Sequence, residues 1–228
     1  MDSEPEHYRL SPSSSSRWLV CPGSARDDLP DTPTPKSKAG DAAHEEVDDG
    51  LKHDTMSAII SDNVYARVCE ILDPDSASAI ADVAFDYVEY VRSLGSDREH
   101  EIKIKHPEII DFGGTVDTLV DETPLHIVDL KSGTWKVPAK NSTQLRCYAI
   151  LAGHHQYGEV VDAKGTIIQS RVYAKPNSFF FPADELKQLE DKIHWASTSD
   201  DIVAGDHCYF CPLRPVCPER ARVYPNWD

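Results

Sequence analysis

Two groups of residues in this sequence have the types and spacing that chemistry requires. Cys208, Cys211 and Cys217 form a Cys-x2-Cys-x5-Cys run near one end of the chain, and Cys21 lies near the other. A Cys-x2-Cys bite sets two thiolates on one metal ion or one cluster edge, and soft sulfur ligands select zinc or iron-sulfur chemistry over magnesium or calcium. The spacing predicts a metal centre tying the two ends together. Zinc and iron-sulfur both fit the ligand set, but a zinc ribbon normally supplies two such knuckles. The single knuckle with its distant fourth cysteine favours iron-sulfur. Disulfides of a secreted protein fit less well, because Met1 is followed at once by acidic and polar residues rather than a signal peptide.

The second group is acidic. Asp117 lies in the stretch Gly113-Gly114-Thr115-Val116-Asp117, and Asp129-Leu130-Lys131 follows a turn later. On a strand, alternate side chains share a face, so Asp129 and Lys131 point the same way and a hairpin partner brings Asp117 beside them. Two carboxylates and an ammonium in one small site are costly unless a cation offsets them, and oxygen ligands favour Mg2+ or Mn2+. Lys131 could then orient a water and stabilise charge developing on a phosphate. Gln144 and Tyr148 lie four apart on a predicted helix and share its face. His44 supplies an imidazole that can ligate a metal.

These residues need elements to hold them. The Ser-rich run Ser11 to Ser16 reads as a cap opening a short helix over Arg17 to Val20, and a Pro- and Asp-rich loop follows from Asp27 to Lys38. Helices are predicted over Gly40–His53, Ala58–Leu72 and Ser76–Ser93. The pattern then changes to alternation, with strands over Glu101–Lys105, Thr115–Val120 and Leu125–Lys131, the last two joined by the turn Asp121-Glu122-Thr123-Pro124. A helix over Ser142–Ala152, a strand over Thr166–Ala174 and a helix over Ala183–Ala196 complete the order before the Cys-rich tail.

Gly40-x3-His44, Gly114-x2-Asp117, Asp129-x-Lys131 and Gln144-x3-Tyr148 closely resemble the motif series of the RecB-like nucleases of the PD-(D/E)XK superfamily. The cysteine frame, with one Cys before this core and Cys-x2-Cys-x5-Cys after it, is similar to that of the iron-sulfur exonucleases of the group, including the CRISPR-associated RecB-type exonuclease. The opening Leu10 to Ser24 resembles phage and prophage relatives. The resemblance implies an α/β fold with a restriction-endonuclease-like core, a mixed β-sheet flanked by helices, whose N- and C-terminal segments are joined by the cluster. It implies one nuclease domain over 1–228, with an N-terminal segment 1–37 carrying Cys21, a core 38–200 and a Cys-rich segment 201–228. His44, Asp117, Asp129 and the carbonyl of Leu130 would bind Mg2+ or Mn2+, with Lys131 the catalytic lysine and Gln144 and Tyr148 supporting the site. Cys21, Cys208, Cys211 and Cys217 would hold a 4Fe-4S cluster, with structural zinc as the alternative. The implied activity is a metal-dependent exonuclease on single-stranded DNA or duplex ends, in phage recombination, replication or DNA processing, with a recombination or replication protein as partner.

Composition bounds this reading. The chain has 228 residues, 40% of them hydrophobic, and a formal charge of -16. No apolar stretch approaches the ~20 residues needed to span a bilayer, so a cytoplasmic protein without a membrane partner is expected. The negative charge requires a local basic lining, or metal ions, wherever nucleic acid binds. A non-catalytic DNA-binding or adaptor protein is the second reading, and a redox-sensing iron-sulfur protein the third. Glu101 reaches the same neighbourhood by alternation but is set aside as a solvated strand residue. Cys69 and Cys147 read as buried small apolar residues on helices.

Overall fold

The computed structural model describes residues 8–25, 33–95 and 97–225. Its helices and strands, in chain order, are α1 (Ser15–Trp18), α2 (Pro35–Lys52), α3 (Ser57–Val68), α4 (Pro74–Ser93), β1 (Arg98–Lys105), β2 (Gly113–Val120), β3 (Leu125–Leu130), α5 (Thr143–Tyr157), β4 (Ala163–Ile168), β5 (Asn177–Phe181), α6 (Ala183–Thr198) and α7 (Pro218–Val223). Local chemistry explains most of the boundaries. Thr34 accepts a hydrogen bond from the Ser37 N–H with Pro35 at the first helical position, and Asp73 and Ser142 cap α4 and α5 in the same way. Helix α5 closes at Gly158, whose φ of 75° suits a residue without a Cβ.

The strands form one five-stranded sheet in the order β1-β2-β3-β4-β5. The first three are an antiparallel meander, β3 and β4 pair in parallel through the α5 crossover, and β5 is antiparallel to β4. Apolar side chains from both sides of the sheet go into two cores. One gathers Val128, Leu130 and Ile168 with the inner faces of α2, α3 and α4. The other gathers Leu125, Ile127, Ala163 and Ile167 with α5, α6 and the buried Trp18 of α1. The protein is thus a mixed α/β molecule with helices on both faces of its sheet. Gly50 lets α2 and α3 close together, because a Cβ there would collide with the Ile60 side chain.

Several expectations need correction. The first short helix begins at Ser15 rather than Arg17, and α2 begins at Pro35, inside the stretch expected to be loop, because the Thr34 cap and Pro35 start it early. Of that loop, residues 27–32 lie outside the described residues. The strand expected over Thr166–Ala174 runs from Ala163 to Ile168, since the chain turns at Gln169, whose carbonyl accepts from the N–H groups of Val172 and Tyr173. Strand β5, a short aromatic run, was not foreseen. No helix among the described residues is long and apolar enough to cross a membrane.

Candidate functional site

The sheet carries Glu101 and Asp117 where its regularity fails. Val116 and Leu119, three apart, both belong to the α5-side core, so the alternation of β2 breaks between them, at Asp117 and Thr118. Ladder pairing with β3 starts only at Thr118, opposite Val128. On β1, Glu101 sits between the pairs His100–Thr118 and Ile102–Val116, and its φ is 47°, a left-handed value uncommon for a residue with a Cβ. Such irregularities re-aim side chains, and strained backbone gathers at functional sites.

They bring three segments together. His44 Nδ1, from the middle of α2, lies 3.6 Å from Asp117 Oδ2 and 3.7 Å from Glu101 Oε1. The Leu130 N–H donates to Asp117 Oδ2 at 2.8 Å, tying the end of β3 to β2. Lys131 donates to Asp129 Oδ1 at 3.0 Å and lies 2.8 Å from Oδ2. The second contact lacks hydrogen-bond alignment, so that buried oxygen has no hydrogen-bond partner. Asp129 itself is 1% exposed.

The electrostatics follow from this crowding. Burial raises Asp129 to about 6 against the pull of Lys131, with Asp117 adding to the rise. Burial likewise raises Asp117, although His44 and Lys131 oppose it. For His44, burial favours the neutral ring, but Asp117 and Glu101 outweigh it and the imidazole is raised to about 9. Burial of Lys131 is outweighed in the same way by Asp129 and Asp117, and its ammonium is held above the ordinary range. The carboxylates thus hold a protonated histidine and a lysine between them.

His44, Asp117, Asp129 and Lys131, expected to act together, do meet. The Leu130 group seen in contact is its N–H rather than its carbonyl. Sequence reasoning set Glu101 aside, yet its carboxylate is only 26% exposed and joins His44 and Asp117 with ligand atoms all within 4.8 Å of one another. Strand alternation was the available signal. Tyr148 is 6% exposed and lies over Gly114, where a Cβ would come 3.2 Å from its ring. Burial, with Asp117 and Asp129 adding, holds its phenol well above the ordinary value, while the Gln144 side chain works the other way. Tyr148 therefore faces the acidic site, with the Gln144 side chain beside it.

The four predicted cysteines line one cavity of about 140 Å³, together with Ile202, Val203, Leu213 and Val216. Backbone N–H groups point at three of the sulfurs: Val203 at Cys21 (3.4 Å), Gly205 at Cys208 (3.4 Å) and Arg220 at Cys217 (3.5 Å). Among the described residues, no three of these sulfurs lie within 4.8 Å of one another. Tetrahedral zinc at 2.3 Å from each sulfur would require about 3.8 Å between them. Cys147 is fully buried, which pushes its thiol up to about 12. Cys69 caps α3 and is half-buried rather than buried, a small correction.

A further cluster was not anticipated. Glu190 Oε1 of α6 lies 2.9 Å from His106 Nε2 and 2.5 Å from His154 Nε2. His106 Nδ1 accepts from the N–H groups of Glu108 and Ile109 at 3.1 and 2.9 Å. Nδ1 is therefore unprotonated and the neutral ring carries its proton on Nε2, aimed at Glu190. A metal at Nε2 would require an imidazolate, the reverse of the usual arrangement in which the second ring nitrogen donates. The cluster is a hydrogen-bonded brace between α5, α6 and the β1–β2 loop.

Fold and site together define a mixed α/β protein with a partly buried His-Glu-Asp-Asp-Lys constellation on its sheet and a separate four-thiol cavity. The chain belongs to the family described as "Protein of unknown function (DUF2800)", matched over residues 7–226. It is also similar to the crystal structure of SSO0001, at 10% identity and a TM-score of 0.38, over 90% of this chain and 96% of that one.

Proposed function

We propose that this protein is a divalent-metal-dependent deoxyribonuclease of the RecB-like PD-(D/E)XK kind, an exonuclease on single-stranded DNA or duplex ends. The observation that carries the reading is the convergence of His44, Glu101, Asp117, Asp129 and Lys131 in one partly buried acidic site. The residues suit Mg2+ or Mn2+: buried carboxylates crowd together, and Asp129 Oδ2 has no hydrogen-bond partner. Asp117, Asp129, Glu101 and His44 would hold the ion, with the Leu130 carbonyl as a further candidate. Once bound, the ion supplies Lewis-acid polarisation of a phosphate and of an attacking water.

The chain's own groups do the rest. Asp129 fixes the Lys131 ammonium within 3.0 Å, where it can orient the water and stabilise negative charge on the phosphate. The Leu130 N–H holds Asp117 in its rotamer. Tyr148, kept protonated by burial, can donate toward the DNA backbone with Gln144 beside it. The four-cysteine cavity would hold a 4Fe-4S cluster with a structural role. N–H groups directed at sulfur and an apolar lining suit a cluster of thiolates.

The test is cleavage of end-labelled single- and double-stranded DNA with Mg2+, Mn2+ or EDTA. Asp117→Ala, Asp129→Ala and Lys131→Ala should fold and each lose cleavage by several orders of magnitude. Glu101→Gln should also lose activity, and His44→Ala less so, with partial rescue by Mn2+. If the Asp117, Asp129 and Lys131 triple variant degrades DNA as fast as the parent, the nuclease reading is wrong.

A further inference from the structure

A pair of large aromatic rings stands in the open, one of them on the loop that leaves Lys131. Trp135 is 77% exposed and Phe210 is 73% exposed, and their centroids lie 6.2 Å apart at 85°. Trp135 follows Lys131 by four residues, and Phe210 lies between Cys208 and Cys211. The rings thus link the loop after β3 to the Cys-rich segment. Exposed rings of this size lose hydrophobic stabilisation, and the backbone that carries Trp135 is nevertheless fixed from below. Gln169, 2% exposed, donates from its amide to the carbonyls of Gly133 (2.9 Å) and Trp135 (2.7 Å) and accepts from the Val137 N–H. Arg171 donates to the Ser132 carbonyl at 3.0 Å. The loop is built to hold Trp135 outward.

The surrounding charge is opposite to that of the molecule. Residues 131–140, 169–181 and 206–217 together contain six Lys or Arg against one acid, Asp206, in a chain of net charge -16. Exposed Lys136 follows Trp135, exposed Arg171 reaches the same loop at Ser132, and Arg214 stacks over Tyr209 at 5.7 Å from its ring centre. Rings for stacking together with an excess of cations for a backbone are what binds unpaired nucleotides. Except at its ends a duplex keeps its base faces stacked on one another, so along its length it offers the cations their phosphates and the rings nothing.

We propose that Trp135 and Phe210 form a base-stacking platform that selects single-stranded DNA, with Lys136, Arg171 and Arg214 meeting the phosphates. The proposal deepens the nuclease reading, naming the strand form that its site receives, but the binding it describes needs no turnover. It is tested with single strands carrying 2-aminopurine, titrated without added divalent metal, alongside blunt duplex of the same sequence. Trp135→Ala and Phe210→Ala should each weaken single-strand binding roughly tenfold and reduce the quenching of 2-aminopurine, leaving duplex binding unchanged. Trp135→Phe should recover most of the loss. Lys136→Ala and Arg171→Ala should lower the slope of affinity against salt, which the aromatic variants should leave intact. Single-strand binding equal to the parent's in both alanine variants, or equal losses on single strand and duplex, would overturn the platform. So would an unchanged affinity for DNA combined with loss of a protein partner. Cleavage that persists with no stacking signal removes the platform and leaves the nuclease, while stacking without cleavage does the reverse.

Discussion

Asp129 is almost fully buried, and its elevation to about 6 states a cost: near neutral pH the metal-free protein carries an ionised carboxylate that its surroundings disfavour. A folded-state value above the ordinary 3.8 means that the native state binds the proton more tightly than the unfolded chain. Stability from this group is therefore full below about 4 and lost as pH rises through 6, a difference of about 3 kcal/mol at 1.36 kcal/mol per unit. His44, raised to about 9, has a different window: its contribution is full below 6.5 and fades as pH rises through 9. Asp129→Asn should consequently gain stability over the parent as pH rises from 4 to 7 in EDTA, by several degrees in Tm. It should also lose the stabilisation that Mg2+ or Mn2+ gives the parent. Thermal unfolding across that range checks both; a constant difference from pH 4 to 7 would contradict the assignment. Because ligation requires His44 unprotonated, metal binding should release protons, measurable by calorimetry in buffers of different ionisation enthalpy.

Among the elements, α6 is held by one carboxylate. Its Glu190 accepts from His106 of the β1–β2 loop and from His154 of α5, and the His106 and His154 rings meet at 4.4 Å. Burial raises Glu190, but the two histidine hydrogen bonds outweigh it and the carboxylate sits below its ordinary value. Burial holds His106 below its ordinary value as well, despite Glu190. A depressed carboxylate stabilises above its unfolded value and loses that contribution as pH falls through the folded one. A depressed histidine loses its contribution as pH falls below 6.5, where the unfolded ring charges first. Both signs make the brace acid-labile. Glu190→Ala should cost about 1–3 kcal/mol at neutral pH, because it strands two imidazole N–H groups. The penalty should shrink toward pH 4, as urea unfolding would show. Hydrogen exchange should rise in α6 and leave α2 to α4 unaffected, since those helices pack on the other face of the sheet.

Over the whole molecule, charge and covalent reach are unevenly distributed. Between Pro35 and Ser93 there are thirteen Asp or Glu against five Lys or Arg, so much of the net negative charge belongs to the α2–α4 layer. The aromatic loop, with three Lys and no Asp or Glu over residues 131–140, escapes it. The two chain ends already meet: the Gly23 N–H donates to the Asp201 carbonyl at 2.9 Å, and Val203 reaches the Cys21 sulfur. A cluster across this junction would close a loop of nearly the whole chain, which the chain-entropy model values at about 5 kcal/mol. Protein purified without oxygen should hold about four iron and four sulfide per chain. Cys208→Ala, or removal of the cluster, should lower Tm by of order 10 °C and open residues 201–225 to protease. One zinc per chain without sulfide would refute iron-sulfur while leaving the clasp.

Much of this was legible in residue order because short-range physics sets it. The alternation over Glu101–Lys105 and the helical spacing of Gln144 and Tyr148 are local features, and the elements formed close to where those signals lay. The types Asp117, Asp129, Lys131 and His44 announced a charged site, since so many ionisable groups on apolar strands require mutual compensation. Tertiary structure decided what depends on distant partners. Glu101 became part of the site only because β1 kinks opposite the break in β2, and a local alternation pattern cannot tell a re-aimed side chain from a solvated one. The His106–His154–Glu190 brace joins residues up to 84 apart, and no spacing rule connects them. The Trp135–Phe210 pair arises from the same cause: each ring is an ordinary exposed aromatic in its own segment, and only packing of the Cys-rich segment against the β3 loop sets them side by side.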